Sequence, residues 1–491
     1  MRRGIGAALL CVCLVGAACN STNRLTTAAG KRSSTSLSGG AIESDASTTT
    51  ITPEATAATT AAAATAATST TRLSTGGSIV PPALGKAPSA GFTGPGVTAG
   101  EIKIGITLVQ TGSVFGDVTG VPIDFGDTRA QANAVVDFVN KNGGIAGRKV
   151  VPVFYNFDLA RPGLSDGQSE QEACSAWTED SRVFTAINTS LARQALLVCL
   201  ASRGVPAIHD GMPIDEQTLS KYRGFWYTGY GGAALTLDRL AEKQVKVFAQ
   251  QGFFGDNAVV GIEHFDDPAY KRVIEEVFKP ELAKAGVKKV VLQAAPRGGF
   301  DATPYVTSFR RQGVTHVLFF GEESLYALFF MRAAGVQAYK PRYGLHTGMA
   351  MGQLLQQAAP DAQLANSNAM GWTPVVDVDN AHDPGPVSPR NTLCIDIQRK
   401  AGQDMSNRSA AITAIGYCDG LFLLQDALAK VPRVDVAGLA AGITGLGRSY
   451  VSPGVFGTNF ARPDGVDSYR DVQFSQDCKC FQYVGPTKAF P

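Results

Sequence analysis

The chain has 491 residues, of which 44% are hydrophobic and 18% charged, with a formal net charge of +2. That length exceeds what one compact core holds and suits two or three domains. The near balance of charge leaves no electrostatic footprint for nucleic acid or an anionic membrane surface, so functions that depend on a strong basic or acidic field are excluded.

Arg2 and Arg3 open the chain with a basic segment. An apolar run from Ile5 to Val15 follows, and Gly16, Ala17 and Ala18 lead to Cys19. This order reads as a secretory signal over residues 1–18, too short to span a bilayer comfortably. Small residues directly before a cysteine resemble the lipobox of bacterial lipoproteins, in which that cysteine is acylated. Gly16 departs from the leucine usual there. The resemblance implies lipidation at Cys19 and an extracytoplasmic protein held on the outer face of the cell membrane. The plain alternative is an ordinary signal with a chance cysteine.

Residues 19–95 read as a tether. Ser47 to Thr71 is almost entirely Ala, Thr and Ser, with no apolar stripe to offset the entropy of ordering. As a flexible chain, about 70 such residues would span roughly 45 Å. From Gly96 the pattern becomes strands alternating with helices. Strands are expected at 102–109, 149–155, 183–187 and 205–208, with helices at 127–140, 168–180 and 191–203. After Tyr230 a long helix runs to about Gln251. Strands follow at 258–262, 290–293, 316–320 and 342–345, alternating with helices at 269–285, 301–312 and 324–334. Helices at 389–401 and 409–430, a Gly-rich stretch and a hairpin-like region from Val455 to Tyr483 complete the chain. Repeated strand–helix units imply parallel sheets covered on both faces, and about 400 residues suggest two of them.

Discarding Cys11 and Cys13 with the signal, and Cys19 to the lipid, leaves six of the nine cysteines. An even number in an exported protein points to disulfides. Sequence permits fifteen connectivities. Pairing of neighbours is favoured: Cys174 with Cys199, Cys394 with Cys418, and Cys478 with Cys480. The cysteines lie in separate segments and the histidines are scattered, so no metal and no cofactor are expected.

Several stretches carry a family resemblance. Gly96-Val97-Thr98 through Glu101-Ile102-Lys103-Ile104-Gly105 to Thr111-Gly112-Ser113 resembles the mature start of type 1 periplasmic-binding proteins. These are the substrate-binding components of ABC importers for branched-chain and related amino acids. Asn140 to Val150 resembles that family's glycine turn between the first helix and second strand, and Gly204 to Ile208 its strand after the third helix. Phe456-Gly457 through Asp464-Gly465 to Phe481 resembles the end of exported members. The resemblance covers most of residues 96–485. It implies an α/β fold of two Rossmann-like lobes with parallel sheets, joined by three crossing strands, that closes by a hinge on a small ligand. The lobes are expected at 96–228 and 368–450 for the first, and 229–367 for the second, with 451–491 as a crossing strand and completion of the second. Crossings are expected near 226–229, 368–372 and 451–460. Implied partners are a small-molecule ligand and an ABC-type permease; a monomer is expected.

Ligands on open α/β sheets sit beyond the carboxyl ends of the strands, which selects the candidate residues. Thr189 and Ser190 stand at an expected helix start, where free N–H groups suit a carboxylate; Ser190 serves equally as a simple N-cap. Ser113 follows the first strand. Glu322 and Asp266, each beside a second carboxylate, are candidates for a ligand ammonium, or acidic residues that only favour a helix dipole. Phe115, with Phe265 and Tyr270, offers an apolar wall or plain core. Trp372, near a crossing, is a lid or hinge residue. His209 and Asp210 lie on a strand-end loop; as an acid–base pair they lack a nucleophile. No nucleophile elbow, phosphate loop or zinc-type histidine spacing is present, so an enzyme is not expected. A small polar metabolite, such as an amino acid or related amide or carboxylate, is the expected ligand. The rival readings are a ligand-sensing lipoprotein of the same fold and a surface protein without a ligand.

Overall fold

A computed structural model describes residues 94–110, 123–158, 167–187, 194–208, 214–231, 234–296, 301–321, 324–378 and 388–491. All lie within one compact unit, 74–491. The first sheet contains β1 (Glu101–Gln110), β2 (Lys149–Asp158), β3 (Thr185–Ile187), β4 (Ala207–Ile208) and β5 (Trp226–Tyr227). Its order is β2-β1-β3-β4-β5, and every pair is parallel. Between the strands run α1 (Thr128–Lys141), α2 (Gln168–Ser175), α3 (Gln194–Ser202) and α4 (Glu216–Lys221). α1 starts where the Asp127 carboxylate accepts the Ala130 N–H at 2.9 Å, a side-chain cap for an orphan donor. It ends at the glycine turn. Gly144 has φ +70°, and a Cβ there would lie 2.0 Å from the Arg148 carbonyl oxygen, so only glycine lets the chain double back onto β2.

The second sheet begins with α5 (Leu237–Gln250) and β6 (Val259–Phe265). Then come α6 (Pro268–Val273), a π turn at Ile274–Phe278, α7 (Lys279–Lys284), β7 (Lys289–Ala295), α8 (Thr303–Arg311), β8 (His316–Phe320), α9 (Ser324–Val336) and β9 (Arg342–His346). Short helices α10 (Met351–Gln356) and α11 (Asp361–Leu364) lead to β10 (Ser367–Gly371), and α12 (Pro374–Asp377) leaves it. Helices α13 (Pro389–Lys400), α14 (Arg408–Leu428) and α15 (Val436–Leu446) return to the first sheet. β11 (Ser468–Ser475) and β12 (Cys480–Ala489) then extend the second, in the order β12-β11-β10-β9-β8-β6-β7. β6 to β10 pair in parallel and β11 and β12 antiparallel. The expected α/β class with two largely parallel sheets is the observed one.

α14 is the central helix of the first lobe. It is long and apolar enough to cross a membrane by composition, yet nearly all of it is buried inside the fold. Tyr417 on it donates to the Thr107 carbonyl of β1 at 2.8 Å, and Gln425 to the Gly144 carbonyl at 3.0 Å. Three disulfides join the cysteines that sequence pairing favoured. Cys174–Cys199 ties α2 to α3, and Cys394–Cys418 ties α13 to α14. Cys478–Cys480 closes the turn between β11 and β12.

Three segments pass between the sheets and hold one another. Thr228 forms a parallel bridge with Asp464, and the Trp372 indole N–H donates to the Gly231 carbonyl at 2.9 Å. The Asp464 carboxylate, fully buried, meets Arg239 at 2.8 Å and Arg462 at 3.1 Å. Arg272 of α6 links the lobes directly. It reaches Asp215, the α4 N-cap, at 3.0 Å and Asp238 of α5 at 2.9 Å.

Candidate functional site

At the carboxyl ends of β6, β7 and β8 a small cavity of about 20 Å³, room for about one water molecule, opens in the second lobe. Its walls are Glu263, His264 and Phe265 of β6, Ala295 of β7, Phe319, Phe320 and Gly321 from β8, Tyr326 of α9 and Met349. The sequence folds this way because Val259 to Phe265 is an apolar, β-branched run buried on both faces, as parallel strands under helices are. Alternation turns Ile262 toward α5–α7 and Gly261 toward α8, where a Cβ would meet the Phe309 ring at 2.7 Å. Aromatic side chains back the pocket. Phe265 meets Tyr270 and Tyr326 edge to face, with centroids at 5.4 and 5.1 Å, and Tyr270 meets Phe320 at 5.2 Å.

The polar content of this wall is small. The His264 Nδ1 lies 2.8 Å from the Phe265 carbonyl oxygen, and burial holds its pKa below the ordinary histidine value, so the ring is neutral at pH 7. The Tyr326 hydroxyl donates to the Pro296 carbonyl. Glu263 is 3% exposed, and neither of its carboxylate oxygens has a hydrogen-bond partner. Burial pushes its pKa well above the usual carboxylate range, which favours the protonated form.

Asp266 and Tyr270 of the expected site follow β6. The Asp266 carboxylate is solvent-exposed and paired with Lys271, which lowers its pKa. Tyr270 is buried behind the pocket in the aromatic cluster with Phe265. Trp372 is fully buried at the crossing, stacked on His346 at 6.0 Å, away from the pocket wall. The expected residues Ser113, Phe115, Thr189, Ser190, His209, Asp210 and Glu322, and the lipidation residue Cys19, lie outside the described residues. Glu263 escaped the sequence reading, which searched loops beyond strand ends. Its signal was a lone carboxylate inside an apolar strand, Val259-Val260-Gly261-Ile262-Glu263-His264-Phe265. Among the described residues no group of His, Cys, Asp and Glu is arranged to hold a metal ion.

Two wound sheets joined by crossing segments, with a pocket at the strand ends of one, define a two-lobed α/β ligand-binding protein. The family described as periplasmic binding protein matches residues 101–476, and the chain belongs to it. That family and the structural neighbours are solute-binding proteins rather than enzymes. A fatty acid ABC transporter substrate-binding protein from Thermomonospora curvata superposes with a TM-score of 0.61 at 17% identity, covering 82% of this chain and 96% of that one. A solute-binding protein from Rhodopseudomonas palustris in complex with p-hydroxybenzoic acid gives 0.58 at 15% identity, covering 79% and 97%. A branched-chain amino acid transporter protein from Thermus thermophilus with bound valine gives 0.56 at 13% identity, covering 79% and 97%. At these identities the likeness is one of fold. No curated protein matches the sequence.

Proposed function

We propose that this protein captures a small polar metabolite, an amino acid or related amide or carboxylate, by closing its lobes on it, and delivers it to an ABC-type permease. The observation that carries the reading is the fold, two wound sheets joined by crossing segments in a chain of the periplasmic binding protein family. In such folds ligand sites lie at the carboxyl ends of the parallel strands. The neighbours' ligands, valine and hydroxybenzoate among them, support a compact solute with an apolar body. In this reading Thr189 and Ser190 receive a carboxylate, Ser113 and Phe115 line the first-lobe side, and Glu322 or Asp266 takes a cationic group. Asp266 does so only by giving up Lys271. The body sits outside the membrane on a lipid at Cys19, with residues 19–95 as its tether.

The test is a melting-temperature screen of the protein against amino acids, amides, urea and small carboxylates. A ligand at 100 times its Kd stabilises the native state by about 2.7 kcal/mol, a shift easily read. At least one compound is expected to produce it. A flat screen across all classes contradicts solute capture.

A further inference from the structure

The three disulfides differ in what they hold and in what can reach them. Cys174–Cys199 and Cys394–Cys418 join residues 25 and 24 positions apart, and all four of these cysteines are buried in apolar clusters. Bridges of that span restrict the unfolded chain strongly, and their sulfurs are shielded from a thiol in solution. Cys478–Cys480 encloses a single residue, Lys479. A loop that short removes little freedom from the unfolded chain. The hairpin that it closes is already held by the ladder between β11 and β12, which runs as far as the pair Ser475 and Cys480, so the bridge is nearly redundant to the fold. Lys479, inside the ring, has φ +51°, in the left-handed region that is costly for a residue with a Cβ. Its ammonium is 69% exposed and turned to Asp361 at 3.0 Å. Of the six bonded cysteines, Cys478 alone is not buried.

We propose that Cys478–Cys480 is a reversible thiol–disulfide exchange site, opened by dithiols at the tip of the β11–β12 hairpin while the two buried bridges stay closed. It stands independently of the solute-binding reading. Exchange begins when a thiolate attacks one sulfur of a bridge, and here the reachable sulfur is Sγ of Cys478. The incoming thiolate bonds to it and the Cys478–Cys480 bond breaks. The electron pair leaves on Sγ of Cys480, which takes up a proton. The second thiolate of the reagent then attacks the reagent sulfur of the mixed disulfide, closing the reagent's own disulfide and releasing the Cys478 thiolate, which is protonated in turn. Two electrons pass from dithiol to protein, and the two protons lost by the dithiol equal the two gained by the cysteines. Opening frees Lys479 to leave the left-handed region, which favours the reduced form. Exposed or strained bridges are the more oxidising and exchange readily, whereas buried structural ones resist reduction.

The experiment equilibrates the full chain in dithiothreitol buffers of graded reduced-to-oxidised ratio, quenches with acid, alkylates free thiols and reads each cysteine by peptide mass mapping. Cys478 and Cys480 are expected to be half-reduced at a ratio about a hundredfold or more below the one that opens Cys174–Cys199 or Cys394–Cys418. With that bridge alone reduced, the melting temperature is expected to stay within about 3 °C of the oxidised protein's. The variant carrying both Cys478→Ser and Cys480→Ser is expected to melt with the native protein and to consume no dithiol at the low ratio. A parallel arm uses reduced thioredoxin, a protein dithiol. Opening in both arms supports a site that protein dithiols also reach, and opening by dithiothreitol alone supports one reserved for small dithiols. The proposal is overturned if the three bridges open together, if a buried bridge opens first, or if Cys478 and Cys480 are free thiols in the oxidised protein. A fall in melting temperature of more than about 3 °C on opening this bridge alone overturns it equally, since that is the behaviour of a structural bridge.

Discussion

Two further buried carboxyls sit at the crossing, and both shape how the fold responds to pH. Asp377 accepts the Tyr483 hydroxyl at 2.8 Å, the Thr373 N–H at 2.9 Å and the Thr347 hydroxyl at 3.0 Å. Burial still outweighs these bonds and raises its pKa to about 7. Asp419, bonded by Ser452 at 2.6 Å and Tyr450 at 2.9 Å, is raised to about 6 for the same reason. In both cases the native state keeps a proton that the unfolded chain releases near pH 4. Stability from these groups is therefore fully present below pH 4 and drains as pH rises toward 7. The slope approaches about 1.4 kcal/mol per pH unit per group. Asp377→Asn, which cannot titrate, is expected to flatten the fall in melting temperature between pH 4 and 7. Parallel curves for the two proteins would refute the assignment. Residues of this kind were hard to read in the sequence. Asp377 lies in a Val-rich stretch, Val375-Val376-Asp377-Val378, and neither composition nor spacing shows that Tyr483, 106 positions away, will supply its hydrogen bond. The same holds for the pocket. A rule that looks past strand ends selects Asp266 and Tyr270, neither of which is in the cavity wall, and overlooks Glu263, which lies within the strand.

At the scale of elements, the long parallel strands and their helices were legible because they are buried, apolar and several turns or residues long. The failures are short or glycine-rich. α4, α10 and α11 are too short for a periodic stripe. α15, with the sequence Val-Ala-Gly-Leu-Ala-Ala-Gly-Ile-Thr-Gly-Leu, reads as a loop. It is a helix because Asp435 caps it, accepting the Gly438 N–H at 2.7 Å, and because its glycines allow close approach. A Cβ on Gly442 would lie 2.0 Å from the Ala427 carbonyl oxygen of α14. The register of α4, α5 and α6 depends on charge instead. Arg272 is flanked by Asp215, Asp238 and Glu276, and the Asp215 side chain is only 3% exposed. Arg272→Ala strands that carboxylate and is expected to lower unfolding free energy by about 2 kcal/mol, discounted from the fully buried case because the guanidinium is partly solvated. Arg433→Ala, at an exposed pair with Asp435, is expected to change it by less than about 0.5 kcal/mol. Denaturant unfolding measures both, and equal losses would contradict a special role for Arg272.

At the scale of the whole molecule, each lobe is assembled from separate stretches of chain, and the connections between lobes are few and mutually bonded. Such a joint permits a rigid-body hinge, the motion that solute capture requires. The proposed anchor sets where that motion occurs. Cys19→Ser is expected to move the protein from the membrane fraction to the soluble one while leaving its melting temperature unchanged, and continued retention in the membrane would reject lipidation.

The packing of α14 against β1 and β3 has a consequence for biogenesis. The first sheet is complete once residue 227 is made, yet the helix that shields one of its faces begins only at residue 408. A polypeptide emerging amino end first therefore carries a greasy, half-clothed sheet for the time needed to produce some 180 more residues. During that interval the nascent chain is exposed to aggregation, and a holding chaperone or slow, unfolded passage through a translocation channel would shelter it until α14 arrives.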